Sequence, residues 1–323
     1  MDRPDILMPA PMPASVVTAL DEAFVLHRLW LETDKDRFLR DVGPHVRGMA
    51  ISTLAGQLTA ALLDRLPALE IIANFGVGYD NIDAADAARR GVVVTNTPGV
   101  LDDEVADLTI GLLVATIRQI PQADRHVRQG RWLDGPFPLS PTLRGRRVGI
   151  VGMGQIGKAI AQRLEGFDVA IAYHSRHAHT DVPYAWHPTL LGLAEASDTL
   201  IAIVPGTPAT RHMIDRPVLE ALGRDGILIN VARGSVVDQD ALVEALAAGT
   251  ILSAGLDVYA DEPRVPQQLI DMPQVVLLPH IGSASVHTRD AMGALVVANL
   301  ANWFGQGRPL TPVLESAALV KVI

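Results

Sequence analysis

The stretch VGIVGMGQIG at residues 148–157 decides the fold. A short apolar run, typical of a buried parallel strand, is followed by glycines in G-x-G-x-x-G spacing and by an amphipathic helix pattern. In a dinucleotide site the first glycine permits a tight turn, the second lets the backbone approach the pyrophosphate, and the third lets the helix pack closely. The helix N-terminus offers free N–H groups to the phosphates. A plain turn is the alternative, but the flanking strand and helix favour a dinucleotide bound by Gly152, Gly154, Gln155, Ile156 and Gly157.

Strand-like and helix-like segments alternate on both sides of this motif. Strands are predicted at residues 6–8, 25–29, 49–52, 70–75, 92–95, 148–151, 169–173, 199–203, 227–230, 253–256 and 275–278. Helices are predicted at residues 15–24, 36–42, 58–65, 102–117, 122–129, 190–195, 217–221, 239–247 and 288–304, besides the one after the fingerprint. Such alternation implies crossover connections and parallel sheets. We predict an α/β protein with a flavodoxin-like first unit, a hinge at Pro98-Gly99 and a Rossmann-type, doubly wound second unit.

Composition limits what the chain can do. With 323 residues, 49% of them hydrophobic, it suits a globular protein of two domains. The absence of cysteine excludes disulfides and thiol catalysis, and a net charge of −9 argues against a nucleic-acid surface. No long apolar run free of charge is present, and no basic region precedes an apolar core at the N-terminus. We therefore expect a cytoplasmic protein with neither a membrane span nor a secretory signal.

Further motifs occur in a fixed order along the chain. They are NFGVGYDNID (74–83), NTPGVLDDEVADLTIGLL (96–113), GMGQIG (152–157), PGTPATRHMI (205–214), INVARGSVVDQDAL (229–242), AGLDVYADEP (254–263) and LPHIGSAS (278–285). Together they resemble the D-isomer-specific 2-hydroxyacid dehydrogenase family, and within it the NADPH-dependent glyoxylate/hydroxypyruvate reductases. The resemblance runs from about residue 50 to Pro312.

The resemblance implies a discontinuous domain arrangement. Residues 1–97 and 287–323 would form the substrate domain, and residues 98–286 the dinucleotide-binding domain, with the active site in the cleft between them. Relatives of this type dimerise, so the resemblance also implies a homodimer that forms through the 98–145 region. Trp132 or Phe137 is a candidate cap on a partner's active site, although core or interface packing explains them equally well.

Reduction of a 2-ketoacid requires a hydride donor, an acid for the developing alkoxide and a cation for the carboxylate and carbonyl oxygens. Arg233 follows a predicted strand, and its planar fork suits the cation's role. His280 follows another strand and suits the acid. Glu262 would orient His280 and favour its protonated form. The non-catalytic alternatives are a surface arginine, a structural histidine and a solvated loop carboxylate. The family pattern favours the catalytic roles for these three residues.

Other positions follow from the same resemblance. Backbone N–H groups of Val77 and Gly78 would bind the substrate carboxylate, although a simple turn is the alternative, and Ser283 and Arg289 would reach the rest of the substrate. Asp257 would hold the nicotinamide carboxamide. Cofactor contacts are implied for Pro205, Thr207, Val231, Ala232, Asp257 and Gly282. No metal ligand set is expected.

The end of the strand at 169–173 indicates which nicotinamide cofactor binds. An NAD site places a carboxylate about 20 residues after the fingerprint, where it accepts hydrogen bonds from the ribose 2′-OH. Here His174, Ser175 and Arg176 stand in that place, without a carboxylate. Ser175 and Arg176 can bind and neutralise a 2′-phosphate. The sequence therefore predicts NADPH, with NADH as the weaker alternative.

The resulting prediction is an NADP-dependent reductase that converts a small 2-ketoacid, of the glyoxylate or hydroxypyruvate type, to the D-2-hydroxyacid. Two alternatives remain open. A longer substrate of the 2-ketogluconate type fits the same motifs. A nucleotide-sensing binding module similar to a corepressor can also retain Arg233, Glu262 and His280.

Overall fold

The structure is a computed structural model that describes residues 3–320. The chain forms two compact units, one comprising the residues up to Leu101 together with those from Ser285 on, the other comprising Asp102–Ala284. The boundaries predicted from the sequence, 97/98 and 286/287, lie within a few residues of these. The structural boundaries fall at two helix starts, since one helix begins at Asp102 and another has Ser285 as its N-cap. The predicted end points, residues 1 and 323, lie outside the described residues.

The first unit contains a five-stranded parallel sheet in the described part of the chain. Its strands are β1 (Asp5–Met8), β2 (Val25–Arg28), β3 (Val46–Ser52), β4 (Ile71–Phe75) and β5 (Val93–Thr95). Their order is β2-β1-β3-β4-β5, the flavodoxin-like order. This part of the predicted fold class is confirmed.

The second unit contains a sheet of seven parallel strands within the described residues. They are β6 (Arg147–Val151), β7 (Ala170–His174), β8 (Ala185–His187), β9 (Thr199–Ala202), β10 (Ile227–Asn230), β11 (Ser253–Leu256) and β12 (Val275–Leu277). The order β12-β11-β10-β9-β6-β7-β8 is the doubly wound Rossmann order with one strand added. The sequence predicted six strands; β8 was missed because its three residues are half-buried or exposed at a sheet edge.

Helices connect the strands in both units. They are α1 (Ala14–Ala23), α2 (Lys35–Asp41), α3 (Ala60–Leu63), α4 (Ala84–Arg89), α5 (Asp102–Arg118), α6 (Ile120–Arg128), α7 (Gln155–Leu164), α8 (Leu190–Ala196), α9 (Arg216–Leu222), α10 (Gln239–Ala248), α11 (Gln267–Asp271) and α12 (Val286–Gln306). The sequence missed α4 and α11, since α4 buries only alanines and α11 only Leu269. Between residues 3 and 320, none of these helices is long and apolar enough to cross a membrane.

Helices cover both faces of the second sheet, because successive side chains along its strands pack into two different apolar clusters. Ile150 of β6 packs with residues of α5 and α7, whereas the next residue, Val151, packs with residues of α8, α9 and α10. Leu228 and Ile229 of β10 divide in the same way. A strand buried on both faces leaves only its ends free for polar side chains. The chemistry of this unit is therefore concentrated at the strand ends.

Candidate active site

The predicted site residues of the second unit follow the carboxyl ends of its strands. This is the edge of a doubly wound sheet at which ligands bind. Gly152 follows β6, Ser175 follows β7, Pro205 follows β9, Arg233 follows β10, Asp257 follows β11, and His280 follows β12. Because β10, β11 and β12 are neighbours in the sheet, Arg233, the loop with Glu262 and His280 come from three adjacent strands.

The three fingerprint glycines have the geometry of a phosphate-binding turn. Gly152 has φ +108°, and a Cβ there would lie 2.5 Å from the Ile203 carbonyl oxygen. A Cβ on Gly157 would lie 2.2 Å from the Gly152 oxygen, so this glycine allows α7 to pack against the turn. A Cβ on Gly154 would meet nothing within 4 Å. Gly154 is also the N-cap of α7 and has no side chain to cap the helix N–H groups. The turn therefore fits a dinucleotide pyrophosphate.

His280 and Glu262 form a short hydrogen bond. The distance from His280 Nδ1 to Glu262 Oε2 is 2.6 Å. Because an ionised carboxylate only accepts, Nδ1 carries a proton, and Nε2 is the nitrogen that exchanges a proton with a ligand. The side chains are 39% and 33% exposed, so the pair is open to a small molecule. This arrangement can hold and release one proton at a fixed position.

Tyr259 fixes the position of Glu262. Its backbone N–H donates to Glu262 Oε1 at 3.0 Å, and its hydroxyl donates to the Leu278 carbonyl at 2.8 Å. Burial raises the pKa of Tyr259 to about 12, so the hydroxyl remains a donor. The loop that carries Glu262 is thus attached to the segment that leads into His280. Tyr259 was not among the predicted site residues, although it lies within the motif AGLDVYADEP.

Several neighbours act on the charge of Glu262. Partial burial alone would raise its pKa, but the hydrogen bond and charge of His280, the Tyr259 N–H and the charge of Arg233 together hold the pKa below its ordinary value. The carboxylate is therefore ionised at neutral pH. An ionised Glu262 favours the protonated imidazole that an acid catalyst requires.

Asp257 fixes the backbone on the other side of His280. Its buried carboxylate accepts hydrogen bonds from the N–H groups of Ile281, at 2.7 Å, and Gly282, at 2.8 Å. Burial raises the pKa of Asp257, and these two N–H groups partly offset the rise. His280 has φ +54°, a left-handed conformation that turns the chain toward Asp257. Asp257 and Gly282 thus position the histidine loop, and Ser283 follows them, half-buried.

The turn that carries Arg233 is held by Asn230. The Asn230 side chain accepts from the Ala232 N–H and donates to the Arg233 carbonyl, both at 3.1 Å. The Arg233 guanidinium donates to the Ala232 carbonyl at 2.8 Å. A Cβ on the next residue, Gly234, would lie 1.9 Å from the Tyr259 carbonyl carbon, so this glycine lets the turn lie against the Glu262 loop. Asn230 and Gly234 belong to the motif INVARGSVVDQDAL, but their roles require the structure.

The loops after β7, β9 and β10 place the remaining cofactor candidates. His174 and Ser175 are half-buried, Arg176 is exposed, and Val231 and Ala232 are buried. Thr210, which was not among the predicted site residues, closes the loop after β9. Its hydroxyl donates to the Pro205 carbonyl at 2.6 Å and accepts from the Thr207 N–H at 2.9 Å.

In the first unit, Val77 and Gly78 lie in the loop after β4. Asn74 donates from Nδ2 to the carbonyls of Gly76, at 3.1 Å, and Gly78, at 3.0 Å. Asn96 donates to the Val77 carbonyl at 2.9 Å. Because peptide C=O and N–H groups point in opposite directions, the N–H groups of Val77 and Gly78 face away from these amides. Neither N–H has a hydrogen-bond acceptor within residues 3–320. Such N–H groups suit an anion.

Arg289 lies on α12 of the first unit. Its guanidinium carbon is 5.5 Å from the centre of the Phe75 ring, and Phe75 ends β4. Burial lowers the pKa of this arginine, and no carboxylate of the described residues lies within ion-pair distance of it. The structure therefore leaves a half-buried cation available to a ligand.

The described residues contain no group of three metal-ligating side chains.

Comparison with known proteins identifies a matching family model and similar proteins. Residues 110–282 match the family model described as D-isomer specific 2-hydroxyacid dehydrogenase, NAD binding domain. Glyoxylate/hydroxypyruvate reductase A of Arabidopsis thaliana is 44% identical over 97% of this chain and 100% of its own length. The 2-ketogluconate reductase of Gluconobacter oxydans is 40% identical over 97% and 99%. The structure of NADPH-dependent glyoxylate/hydroxypyruvate reductase from Sinorhizobium meliloti, in complex with NADP and malonate, is 53% identical, with a TM-score of 0.91 over 98% of both chains.

Proposed function

Since the chain belongs to the D-isomer-specific 2-hydroxyacid dehydrogenase family, we propose that it is a cytoplasmic reductase of small 2-ketoacids that uses NADPH. Glyoxylate and hydroxypyruvate are the proposed substrates, and D-2-hydroxyacids the products. The observation that carries the proposal is the 2.6 Å His280–Glu262 pair, close enough to Arg233 for its charge to act on Glu262. The relatives from Arabidopsis thaliana and Sinorhizobium meliloti, named for this activity, support it.

The proposed mechanism divides the chemistry between cofactor and protein. Bound NADPH supplies the hydride that the carbonyl carbon receives. His280 donates the Nε2 proton to the carbonyl oxygen as negative charge develops there, and Glu262 stabilises the imidazolium before the transfer. Arg233 binds a carboxylate oxygen and the carbonyl oxygen with its planar fork. The N–H groups of Val77 and Gly78 bind the other carboxylate oxygen.

The proposed cofactor contacts follow the strand ends. The turn at Gly152, Gly154 and Gly157 and the first N–H groups of α7 hold the pyrophosphate. Ser175 and Arg176 bind the 2′-phosphate. Val231, Ala232 and Asp257 would contact the nicotinamide. Both Asp257 oxygens already accept backbone hydrogen bonds, so the nicotinamide carboxamide would share an oxygen through a second lone pair.

Replacing Glu262 with glutamine is expected to shift the pH dependence of reduction. A neutral amide stabilises a positive charge on the imidazole less than a carboxylate does. The pH at which kcat/KM falls to half its maximum should therefore decrease. Rates measured from pH 5 to 10 with saturating NADPH test this, and a profile identical to the parent's contradicts the assigned pair.

Replacing Arg176 with alanine is expected to lower kcat/KM for NADPH about 10- to 100-fold, the effect of losing a charged hydrogen bond to phosphate. The value for NADH should change little, because NADH lacks the 2′-phosphate. Initial rates with both cofactors give the ratio, with NADH serving as the internal control. An unchanged ratio, or parent enzyme that uses both cofactors equally, contradicts the NADPH assignment.

A panel of 2-ketoacids tests the proposed substrate. Glyoxylate and hydroxypyruvate should be reduced with the highest kcat/KM. A longer substrate such as 2-ketogluconate is the second candidate, favoured by the half-buried Arg289 and by the Gluconobacter oxydans relative. Ser283 and Arg289 would bind its hydroxyl groups. NADPH binding without turnover of any ketoacid would instead support a nucleotide-sensing module.

We also propose that the chain forms a homodimer. None of the nine residues of α6 is buried, and its Ile120 and Val127 are exposed. Trp132, Leu133 and Leu139 are also exposed in the following loop. Apolar side chains concentrated on one segment are typical of a protein interface. A sedimentation mass near twice 34.5 kDa supports the dimer, and a mass of one chain contradicts it. A contact of Trp132 or Phe137 with a partner's active site stays a prediction.

A further inference from the structure

The edge strand β8, absent from the sequence prediction, lies beside the proposed 2′-phosphate loop. It pairs with β7, so that Trp186 lies opposite Tyr173, and His187 lies opposite His174. The loop begins with the next residue, Ser175. A segment that pairs with the end of β7 can therefore determine how the loop leaves the sheet.

One side-chain hydrogen bond joins β8 to this loop, and a second joins β8 to the last residue of β7. The indole Nε1–H of Trp186 donates to the Ser175 carbonyl at 3.1 Å. In the opposite direction, His174 Nδ1 lies 2.9 Å from the His187 carbonyl, to which it donates. The two bonds cross between the strands at the point where β7 ends. They hold the main chain of residues 174 and 175 in place.

The bond from Trp186 also determines the direction of a backbone donor. The Ser175 carbonyl and the Arg176 N–H belong to one planar peptide group, and they point in opposite directions. Because the carbonyl faces the indole, the Arg176 N–H faces away from it. This N–H has no hydrogen-bond acceptor within residues 3–320. The Arg176 side chain is exposed. One residue thus offers a backbone donor and a guanidinium together, a combination that suits a phosphate group.

We propose that Trp186 is a positioning residue for NADPH selection, because its indole holds the Ser175–Arg176 peptide in the orientation that binds the 2′-phosphate. The inference rests on the proposed use of NADPH. Trp186 itself need not touch the cofactor. A purely structural role would affect NADPH and NADH alike, since they share every group except the 2′-phosphate.

The variant Trp186→Phe tests the proposal, since it keeps an aromatic ring and removes the N–H donor. The dissociation constant for NADPH should rise about 2- to 10-fold, as expected for the loss of one neutral hydrogen bond. The dissociation constant for NADH should not change. Titration calorimetry with the full-length protein measures both values. The dissociation constant for 2′,5′-ADP should rise by the same factor as that for NADPH, and the constant for 5′-AMP should not change. This pair of ligands isolates the effect of the 2′-phosphate from that of the nicotinamide.

Tyr184→Phe is the matched control. Tyr184 lies two residues before Trp186, and its hydroxyl donates to Glu165 at 2.8 Å, away from the Ser175 loop. This variant loses one side-chain hydrogen bond from the same segment, and both cofactors should bind as they do in the parent. Melting temperatures of both variants show whether the fold is retained.

The outcomes separate this inference from the proposed function. If the parent binds NADPH no better than NADH, the proposed cofactor is wrong. If the parent prefers NADPH and Trp186→Phe keeps the same preference, the role of Trp186 is wrong while the proposed function stands. Equal losses for both cofactors also overturn the role. A loss confined to NADPH and 2′,5′-ADP supports it.

Discussion

Replacing Arg233 with alanine is expected to lower kcat/KM for 2-ketoacid reduction by about 10³- to 10⁵-fold, through both a lower kcat and a higher KM. The loss of a cation at the carbonyl oxygen removes stabilisation of the developing negative charge, which lowers kcat about 10²- to 10³-fold. The loss of a charged hydrogen bond to the carboxylate weakens substrate binding about 10- to 100-fold, which raises KM. Steady-state kinetics with glyoxylate and saturating NADPH measure both terms.

Two further variants make this result specific. Arg233→Lys keeps the charge but loses the planar fork, so it should recover only part of the activity. Arg224→Ala removes the same charge from an exposed residue in the turn before β10, at the opposite end of the strand, and should behave as the parent does. If Arg233→Ala retains both constants, or if Arg224→Ala loses as much activity, the assignment of Arg233 is wrong.

The fold was largely predictable because most strands and helices carry a regular apolar pattern. The run Val148–Val151 alternates between the two covered faces of its sheet, and this alternation reflects burial directly. The segments that were missed bury few large side chains. Residues Ala185–His187 form a strand through backbone pairing with β7, and pairing at a sheet edge leaves little trace in a hydrophobic pattern.

The candidate site was predictable only in part. Arg233, Glu262 and His280 have side chains that suit their proposed chemistry, so motifs identified them. Tyr259 and Asn74 act through hydrogen bonds to backbone carbonyls, which any residue provides. The contact from Tyr259 reaches Leu278, 19 residues away, and no local pattern specifies it. Residues that position others therefore require the structure.

Replacing His280 with alanine is expected to lower kcat about 10²- to 10⁴-fold, the usual contribution of general acid catalysis. The affinity for NADPH and the KM for the ketoacid should change much less, because Arg233 and the Val77–Gly78 loop remain. The decline of kcat at alkaline pH should also disappear. His45→Ala, an exposed histidine in the first unit, is the control and should have parental kinetics. A retained kcat, or a retained alkaline decline, contradicts the role of His280.

The same variant has a second consequence, which concerns stability. In the parent, the pKa of Glu262 is held low, so ionisation of this carboxylate stabilises the fold at neutral pH, and that stabilisation is lost as pH falls through the folded-state pKa. Without the imidazole, burial opposes ionisation, with only the Tyr259 N–H and Arg233 left to favour it, so the pKa of Glu262 rises. His280→Ala should therefore lower Tm at pH 7, and the difference from the parent should narrow as the pH falls through the lowered pKa of Glu262 in the parent. If the difference in Tm stays constant between pH 3 and pH 7, the His280–Glu262 hydrogen bond contributes no charge stabilisation. The lower Tm of the variant would then result from the lost packing of His280 and not from its proposed coupling to Glu262.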